Sequence, residues 1–117
     1  MLTLEGHPHS GEPIILSEFG GIAFTRPTAD RAPGAWGYSI ITGTSNELHG
    51  RYSALLDAVN RVESFAGYCY TQFTDTFQEA NGLFYADRTP KFDLAAMRAA
   101  TMGANGAVMP AAQPLES

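Results

Sequence analysis

The chain is poor in charge, in cysteine and in long apolar runs. Only 16% of its 117 residues are charged, a low share for a self-contained domain, which points to surfaces built to be covered. The net charge is −5 and Lys and Arg are scattered. Nucleic acid and anionic membrane surfaces are therefore excluded as partners. A single cysteine, Cys69, excludes an internal disulfide; set between tyrosines, it is expected to be a reduced core thiol. No stretch approaches the roughly 20 apolar residues that span a bilayer. The start, "MLTLEGHPHSGEP", lacks the basic lead and apolar centre of a secretory leader, and the expected location is cytoplasmic. His7, His9 and His49 do not fall at metal-ligand spacing. Gly20-Gly21 lacks the spacing of a nucleotide-binding loop. Neither metal nor cofactor is expected.

What is present suffices for one small domain: 44% of the residues are apolar, enough to bury a core. Residues 1–12 are polar, hold Gly6, Pro8 and Gly11, and form a lead-in loop. Ile14-Ile15-Leu16 after Pro13 suits a strand buried on both faces. Residues 25–43 hold Trp36 and Tyr38 among prolines and glycines and form a long loop. Thr44 followed by Glu47 fits a capping box. Leu48, Tyr52, Leu55, Leu56, Val59 and Val62 recur at helical spacing, so a helix is predicted up to a stop at Gly67. "YCYTQFTD", residues 68–75, is aromatic and β-prone, a second strand. Asp93 caps a last helix over 94–102, ended by Gly103. Residues 104–117 are rich in Ala, Gly and Pro and are expected to be disordered.

The order strand, helix, strand, helix makes a βαβ unit with parallel strands. Both strands deliver polar groups at their carboxyl ends: Ser17 and Glu18 from the first, Gln72, Thr74 and Asp75 from the second. A glutamate has no place inside a buried strand, whereas the carboxyl end of a parallel strand is where active sites are built. Two parallel strands also leave open edges and an uncovered face, so the chain reads as part of something larger.

"SEFGGIAF", then "WGY", then "GYCYTQFTDTFQEANGLFYADRTPK" resemble, in this order and separation, the C-terminal quarter of the catalytic barrel of glycoside hydrolase family 2. That family includes β-galactosidases, β-glucuronidases and β-mannosidases. The resemblance covers residues 13–100. It implies an α/β fold, the last two β/α units of a partial (β/α)8 TIM barrel, with residues 14–18 and 68–75 as its seventh and eighth strands. The segments 46–66 and 94–102 would be the helices that follow them. It also implies a retaining exo-β-glycosidase with Glu18 as the catalytic nucleophile, acting on a β-glycoside or oligosaccharide. Trp36, Tyr70, Gln72 and Asp75 are its candidate substrate-binding residues.

This chain departs from the family pattern in three places. The family's acid/base glutamate follows an asparagine upstream of the nucleophile, and no Asn-Glu pair precedes Glu18. Asn46-Glu47 comes later, at a helix start, where capping accounts for Glu47. Asp75 and Glu79 read as loop or hydrogen-bonding residues. Thr71 stands where β-galactosidases and β-glucuronidases carry a sugar-packing tryptophan; Tyr68, Tyr70 and Trp36 are the alternatives, each also readable as a packing residue. Glu79-Ala80-Asn81 stands where β-glucuronidases carry Asn-x-Lys for the uronate, and an anionic Glu79 disfavours a uronic acid over a neutral sugar such as galactose. Asp87, Arg88 and Lys91 read as a local turn. The expectation is a glycosidase portion that is inactive alone, completed by the remainder of the barrel or self-associating. The competing readings are a non-enzymatic interaction module and a chain complemented by a separate polypeptide.

Overall fold

The computed structural model describes residues 3, 5–25 and 43–103. The expected tail at 104–117, and the expected long loop apart from Thr25 and Gly43, lie outside the described residues, Trp36 among them. Four elements follow in order: β1 (Ile14–Gly20), α1 (Ser45–Asn60), β2 (Phe65–Thr71) and α2 (Leu94–Met102).

Helix α1 starts where its chemistry predicts. Thr44 is extended, and its hydroxyl accepts a hydrogen bond from the Glu47 amide at 3.1 Å, satisfying one of the free N–H groups of the first turn. The Glu47 carboxylate reaches one residue further back, to the Gly43 amide at 2.9 Å, and pairs with Arg51 at 3.0 Å. Leu48, Tyr52, Leu56 and Val59 form its buried face. The helix stops at Arg61, short of the expected Gly67. The following residues turn tightly, Val62 N–H to Val59 and Phe65 N–H to Val62, because Phe65 and Gly67 are taken into the sheet opposite Ile14 and Ile15. Gly67 is thus a strand residue. The second strand begins three residues earlier than the sequence suggests and ends at Thr71. Helix α2 coincides with its expected span: the Asp93 carboxylate accepts from the Ala96 amide, and Gly103 at φ +66° returns its N–H to Ala99 and Ala100, a backbone conformation that favours glycine.

The sheet has two parallel strands, β1 beside β2. The core lies on one side of it: Ile22, Phe24, Leu48, Tyr52, Leu56, Leu83, Phe92 and Met97, with Phe19, Tyr68 and Tyr70 packed against them. Phe19 meets Tyr68 and Tyr70 edge-on, both at 5.5 Å. The other side is bare, with Ile15 54% exposed and Cys69 exposed. This corrects the expected core thiol: strand alternation places Cys69 on the face opposite Tyr68 and Tyr70, and only their face is covered.

The expected partial barrel is also corrected. Barrel closure requires every strand to be paired on both edges. Among the described residues, β1 and β2 pair only with each other. The architecture is a β-α-β-α unit with a small open sheet.

The segment after β2 is irregular but firmly stitched. The Thr71–Gln72 peptide bond is cis. Gln72 N–H donates to Asn81, Leu83 N–H to Gln72, and Asp75 N–H to Phe84. At Gly82 an added Cβ would collide with the backbone of Thr74 and Asp75, so only glycine permits this approach. Among the described residues no helix is long and apolar enough to cross a membrane.

Candidate functional site

The register of the two strands slips around Glu18. Leu16 lies opposite Tyr68 and Phe19 opposite Tyr70, so Ser17 and Glu18 together face the single residue Cys69. The additional residue breaks the in–out alternation, and both Ser17 and Glu18 are exposed. Such irregularities re-aim side chains and recur beside active sites. Glu18 borders an open cleft of about 300 Å³ with Phe19, Gly20 and Thr71. Gly20, at φ +108°, lies so close to the Tyr70 ring that an added Cβ would overlap it. The strand end therefore sits tight against β2, and Gly21 N–H closes the junction on the Thr71 carbonyl at 2.7 Å. Among the described residues, the Glu18 carboxylate makes no hydrogen bond or ion pair.

Tyr70 is not at this cleft. It lines a larger apolar groove of about 450 Å³ with Tyr52, Tyr68, Phe73, Met97 and Met102, among others. Its ring packs edge-on against Tyr52 at 5.0 Å, and its hydroxyl is buried without a hydrogen-bond partner among the described residues. Burial pushes its pKa well above the ordinary tyrosine value, the neighbouring Tyr52 adds to this, and the nearby Ile22 backbone opposes it without completing a bond. Burial likewise raises Tyr52, against its hydrogen bond with the Thr101 hydroxyl, and Tyr68.

Gln72 begins a polar relay rather than facing the Glu18 carboxylate. Its Nε2 donates to Asn81 Oδ1 at 2.8 Å and to Thr76 Oγ1 at 3.3 Å. Asn81, fully buried, donates to Glu79 Oε1 at 3.1 Å, and Thr76 donates to Glu79 Oε2 at 3.3 Å. Asp75 Oδ1 accepts from the Gly82 amide at 2.8 Å and from Lys91 Nζ at 2.7 Å. Gln72 and Asp75 thus both fix the loop that leaves β2, and Thr71 is the β2 residue that shares the cleft with Glu18.

Lys91, expected in a local turn, is instead buried. Its ammonium also donates to the Phe24 and Ala80 carbonyls, each at 2.9 Å, and lies 5.4 Å from the Tyr85 ring centre. Burial pushes its pKa below the usual lysine value, opposed by the Asp75 carboxylate. A charge neutralised and fully bonded in this way is tolerated inside a protein. Its position between Pro90 and Phe92 was the one local signal of burial.

Among the described residues, no group of three or more His, Cys, Asp or Glu could hold a metal ion. No protein-family model matches the chain, and no curated protein matches it.

Proposed function

We propose that the chain is part of a retaining exo-β-glycosidase of the glycoside hydrolase family 2 type, carrying the nucleophile and lacking the acid/base. The reading is supported chiefly by one observation. Among the described residues, Glu18 stands unpartnered at the carboxyl end of a parallel strand, turned out of alternation into an open cleft.

In this reading a Glu18 carboxylate oxygen attacks the anomeric carbon as the bond to the leaving oxygen breaks. A carboxylic acid from outside this chain protonates that oxygen, and its conjugate base then takes a proton from water, which releases the sugar and restores Glu18. The two carboxyl groups of a retaining site lie about 5–5.5 Å apart. Within the chain, Glu79 is bonded to Asn81 and Thr76 and Asp75 to Lys91, which suits both to holding the loop. The substrate class is a β-glycoside of a neutral sugar. The acid/base comes from another part of a longer chain or from a separate polypeptide.

General acid–base help is worth about 10²–10⁴-fold in rate, so the chain alone is expected to leave an aryl β-galactoside intact. Co-expression with a polypeptide that carries the upstream Asn-Glu acid/base is expected to restore hydrolysis, and Glu18→Gln to abolish it. Turnover by the purified chain alone would refute the proposal.

A further inference from the structure

The apolar groove of about 450 Å³ that Tyr70 lines is open. Phe73 and Leu94 in its walls are 62% and 55% exposed. The hydroxyls of Tyr52, Tyr68 and Thr101 are taken up locally: Tyr52 and Thr101 share a hydrogen bond at 2.8 Å, and Tyr68 donates to the Thr101 carbonyl at 2.7 Å. One charged residue lines the groove, Arg98. Among the described residues its guanidinium donates only to the Met102 sulfur, at 3.4 Å, and pairs with no carboxylate. The chemistry that complements this groove is apolar, short of N–H groups that need partners, and carries one negative charge.

The chain itself holds such a segment. Residues 104–117, outside the described residues, read ANGAVMPAAQPLES. Val108, Met109 and Leu115 are apolar, Pro110 and Pro114 have no backbone N–H, and Glu116 is the one charged side chain. Proline-bearing segments seat well in aromatic-lined grooves, because they have little backbone freedom left to lose; Tyr52, Tyr68, Tyr70, Phe73 and Phe84 line this one. The segment begins just past Met102, itself a wall of the groove. Arg98 lies roughly 8 Å back along the helix from Gly103, and the stretch from Gly103 to Leu115 reaches up to about 40 Å when extended. That length lets the segment turn back over the groove. Attachment at the groove's edge also gives it an effective concentration that a separate polypeptide lacks.

We propose that residues 104–117 bind back into this groove, with Pro110 and Pro114 against its aromatic rings and Glu116 paired with Arg98. The contact takes Phe73 and Leu94 out of solvent. It does not depend on the role of Glu18, since the groove and the Glu18 cleft share no lining residue.

The test is NMR on the full chain with ¹³C-labelled leucine and methionine methyl groups. Nuclear Overhauser contacts are expected from the Leu115 and Met109 methyls to the aromatic rings of the groove. In a sample mixed with unlabelled chain, they are expected to prove intramolecular. Arg98→Glu sets like charges together and is expected to weaken these contacts several-fold, and Arg98→Glu with Glu116→Arg to restore them. Arg98 is exposed, so its substitution leaves the core intact. Leu115→Asp is expected to raise the binding of a hydrophobic fluorescent dye several-fold, as the groove is uncovered. Absence of any contact between residues 104–117 and the groove would overturn the proposal, as would an Arg98→Glu variant that the exchange of charges does not rescue. Contacts that prove intermolecular would overturn it too, and would assign the groove to a second copy of the chain.

Discussion

Lys91 places its ammonium 2.7 Å from Asp75 Oδ1, with the lysine side chain wholly sealed from solvent. The pair joins three stretches of chain, since the same ammonium holds the carbonyls of Phe24 and Ala80. Phe24 follows the Glu18 strand, and Ala80 lies in the loop after β2. The pair therefore fixes how those two segments meet.

Removing one member leaves the other uncompensated. Lys91→Met is expected to cost about 3 kcal/mol or more, read as a fall in the urea midpoint. Asp75→Asn keeps an acceptor for the Gly82 amide and is expected to cost less. The double variant should recover part of the loss. Equal midpoints for wild type and Lys91→Met would contradict the description of the pair.

Among the described residues, the Tyr70 hydroxyl is buried and unpartnered. Tyr70→Phe is expected to stabilise the chain, by up to about 1 kcal/mol, because an unmet desolvation cost disappears. The folded-state pKa of Tyr70 is raised, so its titration leaves stability unchanged below pH about 10 and lowers it as pH rises above that, where the unfolded chain loses the proton first. The depressed pKa of Lys91 acts the other way: the unfolded chain binds the proton more tightly, and stability rises with pH toward about 10.4. Urea midpoints from pH 8 to 11 should fall less steeply above pH 10 in Tyr70→Phe than in wild type. Parallel curves would contradict the assignment.

Two caps carry the helices. Thr44→Ala and Asp93→Ala are each expected to cost about 1 kcal/mol, measured by chemical unfolding. Serine at either position should recover most of the loss.

Cys69 is exposed. A thiol-reactive disulfide reagent should label it in the native chain at a rate close to that in denaturant. Protection by orders of magnitude would show that its face is covered, by a second copy or another chain.

Local chemistry made some of this fold legible and non-local pairing hid the rest. Asp93 and Gly103 mark α2 to the residue because caps are decided by their own neighbours. Thr44 marks the start of α1 for the same reason. The end of α1 was misread because Gly67 breaks helices in general, yet here it serves a strand whose position is set by Ile15. The place of Cys69 was misread because apolar alternation does not say which face of a sheet is covered. Glu18 stood out as a carboxylate in an apolar run, but the register slip that turns it outward exists only between two strands. The partner of Lys91 lies sixteen residues away, beyond any local pattern. The barrel was expected from motifs, and motifs carry no record of which strands are present to pair.

The most direct test of Glu18 as nucleophile is covalent trapping. The chain, completed with the acid/base polypeptide, is incubated with 2-deoxy-2-fluoro-β-galactosyl fluoride, digested and mapped by mass spectrometry. The account predicts one fluorogalactosyl group, attached to Glu18, and loss of activity in proportion to labelling. A label on another residue, or an active complex in which Glu18→Gln still hydrolyses substrate, would contradict it.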